Sequence, residues 1–145
     1  MKEKRIRRGD IYIARIPKDA VGSVQAGVRP VLIIQNDQKN RTSPTVVVLA
    51  ITSKLKRLDL YEHVLLPKLR GLPQRSMVMA EQQFTLDKSS LLSYRGYLKK
   101  HEMIRIDKAV RYVVFGRKSL RRFNNRKRKQ RRDRRRRRKE RRNKT

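Results

Sequence analysis

Two short apolar runs, Pro30–Ile34 and Thr45–Ile51, constrain this chain more than any other feature. Each is rich in Val and Ile, too short for a typical helix and bounded by turn residues, so each reads as a buried strand. The polar segment between them holds Asn36, Asp37, Asn40, Ser43 and Pro44 and reads as the connection through which they pair. Antiparallel pairing sets the start of one strand beside the end of the next. Arg29, at the mouth of the first, then meets Thr52, at the end of the second. A guanidinium and a hydroxyl at one sheet edge are groups that can act on a phosphodiester.

The rest of the first 116 residues is mostly strand-like. Asp10–Ile16 alternates and is stopped by Pro17, which predicts a first strand. Residues 17–28 read as a loop whose Gly22 and Gly27 suit a mobile or ligand-contacting segment. Ser53–Tyr61 reads as a second loop, made basic by Lys54, Lys56 and Arg57. Glu62–Leu66, Ser76–Gln82 and Tyr94–Leu98 read as further short strands. His101–Phe115 is the one clear amphipathic helix, with Met103, Ile106, Val110 and Val113 or Val114 on its apolar face and Gly116 as its stop. The expected class is mainly β (α+β): a small antiparallel barrel or curled sheet closed by a C-terminal helix.

Charge divides the chain. Of 42 Lys and Arg residues, 19 fall in the last 29 positions, against two acids, Asp133 and Glu140, for a net +17 there. The first 116 residues carry a net +13. The expected organisation is a domain over 1–116 and a disordered basic tail over 117–145, kept open by self-repulsion. Both parts favour a polyanionic partner. The chain has no cysteine, which excludes disulfide frameworks and thiolate chemistry and suits a reducing, cytoplasmic setting. No apolar run reaches the roughly 20 residues of a spanning helix. His63 and His101 each lack a second ligand at metal spacing, so no metal site and no cofactor are expected.

Four co-linear blocks carry a resemblance: RGDIYIARIP, GSVQAGVRPVLIIQND, SPTVVVLAIT and MAEQQFTLDK. Together they are similar to the MazF/PemK family of toxin ribonucleases, in particular its Gram-positive MazF members, over about residues 8–116. The resemblance implies an SH3-like barrel of the MazF/CcdB type, usually a homodimer, that cuts single-stranded RNA at short sequences without a metal. It also implies a MazE-like antitoxin that lays a disordered segment across the active groove. By the family's blocks the catalytic pair falls on Arg29 and Thr52. Gln25 matches the glutamine of the loop block, and Glu81 and Gln82 match the acid/amide pair near bound RNA. Where many members have Glu before the loop glutamine, this chain has Val24; where PemK-type members place Arg, it has Met79.

The chemistry stands beside that resemblance. RNA supplies its own nucleophile, the 2′-hydroxyl, so the enzyme must remove a proton, stabilise a phosphorane and protonate the leaving 5′-oxygen. Arg29 suits stabilisation, because its planar fork matches two phosphate oxygens. Thr52 can donate a hydrogen bond to the phosphorane, and Glu81 is the candidate acid/base. Lys54, Lys56, Arg57, Gln25 and Gln82 are the candidate RNA contacts. Taken singly, an Arg-Pro strand entry or a Thr at a strand end is ordinary structure. Three functions compete: an endoribonuclease toxin, a catalytically weakened RNA- or ribosome-binding module of the same fold, and a gyrase poison of the CcdB kind. The last is disfavoured because the chain has no tryptophan.

Overall fold

A computed structural model describes residues 4–17 and 27–143. Six strands form one antiparallel sheet: β1 (Asp10–Ile16), β2 (Gly27–Ile33), β3 (Thr45–Thr52), β4 (His63–Leu65), β5 (Met77–Asp87) and β6 (Leu91–Tyr97). Their spatial order is β4-β5-β3-β2-β1-β6. The expected α+β class, mainly β, is what the chain adopts. Three helices accompany the sheet: α1 (Asp37–Thr42), α2 (Lys100–Phe115) and α3 (Arg117–Arg142).

The continuous apolar runs of β2 and β3 arise because the sheet is covered on both faces, so successive side chains bury on opposite sides. On one face Ile11, Leu32, Leu49, Ile51, Val64 and Val78 pack with Met103, Ile106 and Ala109 of α2. On the other, Tyr12, Ala14, Ile16, Val31, Ile33, Val46 and Val48 pack with one another and with Leu86. A third cluster, Ala50, Met77 and Met79, continues that second face toward β4. Helix α2 lies over the first face, and its start is tied by Glu102 Oε1 accepting from the Lys99 N–H at 3.1 Å.

Several expectations need correction. Strand β2 begins at Gly27 rather than Pro30, because Gly27 and Val28 pair with Ile16 and Arg15 of β1. The connection between β2 and β3 is not plain coil: Asn36 caps α1 by accepting from the Lys39 N–H at 2.9 Å. Buried Asn40 then holds the Gln35 carbonyl at 2.9 Å. Strand β5 runs five residues beyond Gln82, since Phe84 and Leu86 face the core while the polar residues between them face outward. The apolar face of α2 ends before its last turn, where Val113 and Val114 are exposed.

The largest correction is the tail. Residues Arg117–Arg142 form one helix instead of a disordered segment. Arg and Lys are good intrinsic helix formers, and the expectation of disorder weighed only their mutual repulsion. Gly116, at φ 78°, passes the chain from α2 into α3 while its N–H closes α2 onto the Tyr112 carbonyl at 2.8 Å. Farther along, Arg136 donates to Glu140 one turn away at 3.1 Å.

Among the described glycines, Gly71 meets the closest backbone approach. A Cβ there would lie 1.7 Å from the Arg95 carbonyl oxygen and 2.6 Å from its carbon, both main-chain atoms of β6. Gly71→Ala is therefore expected to cost about 1–3 kcal/mol or more, because the neighbour is backbone and cannot rotate away. Urea denaturation should show a lower midpoint; an unchanged midpoint would contradict the packing described here.

Candidate functional site

The ladder between β2 and β3 runs through Ile33↔Val48, Leu32↔Leu49 and Val31↔Ala50. It stops there, at Pro30, which has no N–H to contribute. Continuing the same register by two residues sets Arg29 opposite Thr52. Directly opposed residues of an antiparallel pair share a face, here the face of Val31, Ile33 and Val48, away from α2. Arg29 is half-buried and also opposes Ala14 of β1. Thr52 is buried, opposes Met77 of β5, and its Oγ1 accepts from the Lys54 N–H at 3.2 Å.

Glu81 and Gln82 occupy a bulge. Leu49 opposes Gln83 and Ala50 opposes Met79, so Ala80, Glu81 and Gln82 have no opposite number on β3. The Gln83 side chain closes the bulge by donating to the Ala80 carbonyl at 3.1 Å, while the Ala80 N–H reaches Glu62 O at 2.9 Å. Bulges bend a strand and re-aim its side chains. Glu81 is exposed here and Gln82 half-buried.

His63, considered in the sequence only as a metal ligand, is the residue that ties this region together. It is buried on β4, opposite Met79, and by register shares the face of Met79, Ala50 and Val31. Its Nδ1 lies 3.0 Å from the Lys56 carbonyl and 3.1 Å from the Arg57 carbonyl. Carbonyls only accept, so Nδ1 carries a proton. Its Nε2 lies 2.9 Å from Glu81 Oε1, and a carboxylate there calls for a proton on that nitrogen too. Burial opposes the charged ring, but the Glu81 hydrogen bond and the two carbonyls outweigh it and hold the imidazole pKa above its usual 6.5. The local sequence carries no sign of this pairing, because Glu81 stands 18 positions away.

The basic segment 53–61 has no regular secondary structure, and Lys54, Lys56 and Arg57 are exposed. Arg57 adopts φ 46°, the one positive value among described non-glycine residues. Its guanidinium forks onto Asp59 at 3.0 and 3.1 Å. Gln25 and Val24 lie outside the described residues, as does most of the first loop. Among the described residues no group of three His, Cys, Asp or Glu could hold a metal ion. Nor is any helix there long and apolar enough to cross a membrane.

A small basic β domain with one covering helix and a cationic rim defines a protein suited to a polyanion. Comparison with known proteins names its family. The model for the PemK-like, MazF-like toxins of type II toxin–antitoxin systems matches residues 7–114. The chain is 43% identical over 106 residues to endoribonuclease MazF of Staphylococcus epidermidis, covering 72% of this chain and 88% of that protein. Among solved structures it resembles MazF of Deinococcus radiodurans (TM-score 0.66, 18% identity, 77% of this chain and 98% of that one). It also resembles a mycobacterial endoribonuclease solved with its cognate antitoxin (TM-score 0.63, 24% identity, 75% and 94%). At such identities the structures establish the fold alone. The chain belongs to the PemK-like, MazF-like toxin family.

The His63 pair makes stability depend on pH. Because the folded pKa is raised, the contribution is complete below about 6.5, where the ring is protonated in both states, and is lost as pH rises through the folded value. Urea unfolding measured between pH 6 and 9 should show a decline that His63→Gln removes. Parallel curves for the two proteins would show that the pair contributes nothing to folding.

Proposed function

We propose that this chain is the toxin of a type II toxin–antitoxin pair and a metal-independent endoribonuclease that cuts single-stranded RNA at short specific sequences. Its family and its 43%-identical endoribonuclease relative support the activity. The observation that supports the site is the β2–β3 register, whose continuation two residues past Val31↔Ala50 puts Arg29 opposite Thr52. The 2′-hydroxyl of the substrate loses its proton and attacks the adjacent phosphorus. The bond to the 5′-oxygen then breaks and that oxygen takes a proton, leaving a 2′,3′-cyclic phosphate and a 5′-hydroxyl. Arg29 stabilises the dianionic phosphorane with its fork of donors, a role its permanent charge suits better than that of a base. Thr52 already accepts from Lys54, so its own hydroxyl proton is the group it offers to a phosphate oxygen. Glu81 is held by His63 and acts chiefly by fixing that ring rather than by taking the substrate proton.

Lys54, Lys56, Gln82 and Gln25 contact the RNA on either side of the cut, with Arg57 contributing in competition with Asp59. An antitoxin of the MazE kind, supplying an acidic disordered segment, fits the +13 charge of residues 1–116. The active unit is a homodimer, as in the family, and works in the cytoplasm, where its RNA is found and where a cysteine-free chain needs no oxidising compartment. Residues 1–116 form the toxin domain and 117–145 a separate arm. As a helix of about 39 Å with basic residues on every side, that arm binds RNA or the ribosome through phosphates and raises the local concentration of substrate.

Incubation with a long single-stranded RNA in EDTA tests the enzyme. Discrete cuts are expected, and Arg29→Ala and Thr52→Ala should each slow them by roughly 10²–10³-fold, the usual loss of one oxyanion donor. Cutting by Arg29→Ala at the wild-type rate would remove it from the site. The arm is tested on the inactive Arg29→Ala background by changing Arg134–Arg138 to Gln. The slope of log affinity against log salt should flatten by up to about 3.5, at roughly 0.7 per lost single-strand phosphate contact. An identical slope would leave the arm without a role in RNA binding.

A further inference from the structure

We infer that His63 is a positioning residue that locks the basic segment 53–61 and the β5 bulge bearing Glu81 and Gln82 into a single RNA-binding surface. The inference rests on the ribonuclease reading above and adds to it the element that shapes the groove. Three observations meet in one buried ring. Nδ1 donates to the carbonyls of Lys56 and Arg57, two of the three basic residues of that segment. Nε2 meets Glu81 in a bulge where three residues of β5 have no partner on β3. By register, His63 shares a sheet face with Arg29 and Thr52, roughly 12 Å from the latter across two strand spacings and one two-residue step.

The two ring nitrogens do different work. Other contacts hold the ends of the segment: Lys54 N–H donates to Thr52 Oγ1 at one end, and at the other Leu60 N–H donates to Arg57 O, His63 N–H donates to Leu60 O and the Tyr61 ring meets Tyr112 of α2 edge-on. Arg57 sits in the left-handed region that a side chain enters only when its surroundings hold it there. The Nδ1–H supplies part of that hold. On the other side, Nε2–H fixes the Glu81 carboxylate and hence the bulge. The charged groups facing the ring are Glu81 from β5, with Asp59 from the segment itself. Loss of the proton on either nitrogen leaves a lone pair facing an acceptor, so deprotonation of the ring releases one side of this bridge. The surface thus loosens on one side as pH rises through the raised pKa of the ring.

The test uses the full chain with His63→Ala, His63→Asn and a Lys54→Ala/Lys56→Ala/Arg57→Ala triple variant, each checked for folding by its urea midpoint. Hydrogen exchange of residues 53–61 reads the lock, and KM, kcat and the map of cut sites read its consequence. His63→Ala should deprotect 53–61, raise KM by about tenfold with a smaller change in kcat, and blur the cut-site pattern. His63→Asn places an amide N–H where Nδ1–H stands and does not titrate, so it should restore protection of the segment and lack the rise of KM with pH that is expected of the wild type. Unchanged exchange in folded His63→Ala overturns the lock. Changed exchange with wild-type KM and cut sites overturns its functional part. If the triple variant also shows a wild-type KM, that failure belongs to the RNA reading of the segment; if its KM rises, the failure belongs to His63 alone.

Discussion

Burial of β3 on both faces, with hydrogen-bonded neighbours on both edges, is the constraint on which the rest of the structure depends. Val46, Val48, Leu49, Ala50 and Ile51 are all fully buried. Complete burial of these side chains contributes on the order of 1.5–3 kcal/mol for each large one. A strand so enclosed has one tolerable register, since a slip by one residue exchanges the contents of its two faces. That register ends β3 at Thr52, opposite Met77 of β5 and two residues past the last β2–β3 pair, Val31↔Ala50. It also aligns Met79 with Ala50, which leaves the three following residues of β5 without an opposite number on β3.

The charged groups in and around this core follow one rule: each is met by donors or acceptors, whether it is buried or at the surface. Asp10 is buried and accepts from the Lys4 ammonium at 2.7 Å and the Arg7 N–H at 2.9 Å. Asp37, at the start of α1, takes the Arg8 N–H at 2.7 Å, which outweighs desolvation and holds its carboxyl below the usual range. Arg8 in turn pairs with Asp107 of α2, tying the helix to the sheet. His63 obeys the same rule with three acceptors around one ring. Structural pairs thus use several of the acids of a strongly basic domain. The remaining cations stand on the surface, where they create a field attractive to phosphates.

Much of the architecture was legible in the chain because local patterns report burial directly. The alternation of Asp10–Ile16, the apolar runs in β2 and β3 and the spacing of Met103, Ile106 and Val110 mark elements that the structure contains. The far half of β5 was harder to read, because Gln82 and Gln83 interrupt the pattern where the strand bulges. Helix α1 was hidden in a polar segment, since its six residues are held by the Asn36 cap and the buried Asn40 amide rather than by an apolar stripe. In α3, helix propensity and like-charge repulsion point in opposite directions, and composition alone reports only the second.

The candidate site divides in the same way. That Thr52 ends β3 and that Arg29 lies near the start of the adjacent β2 follows from the sequence, because hydrophobic patterning and antiparallel pairing suffice to place these segments side by side. By itself, then, the sequence determined the fold class, the basic character and the family blocks. The tertiary structure decided which side chains meet: that His63 bridges the main chain of Lys56 and Arg57 to Glu81, and that Glu81 and Gln82 stand on a bulge. The reason is physical. Periodicity along a chain records which face of a strand is buried, whereas contact between strands depends on register and on where a bulge inserts unpaired residues, and neither leaves a local trace.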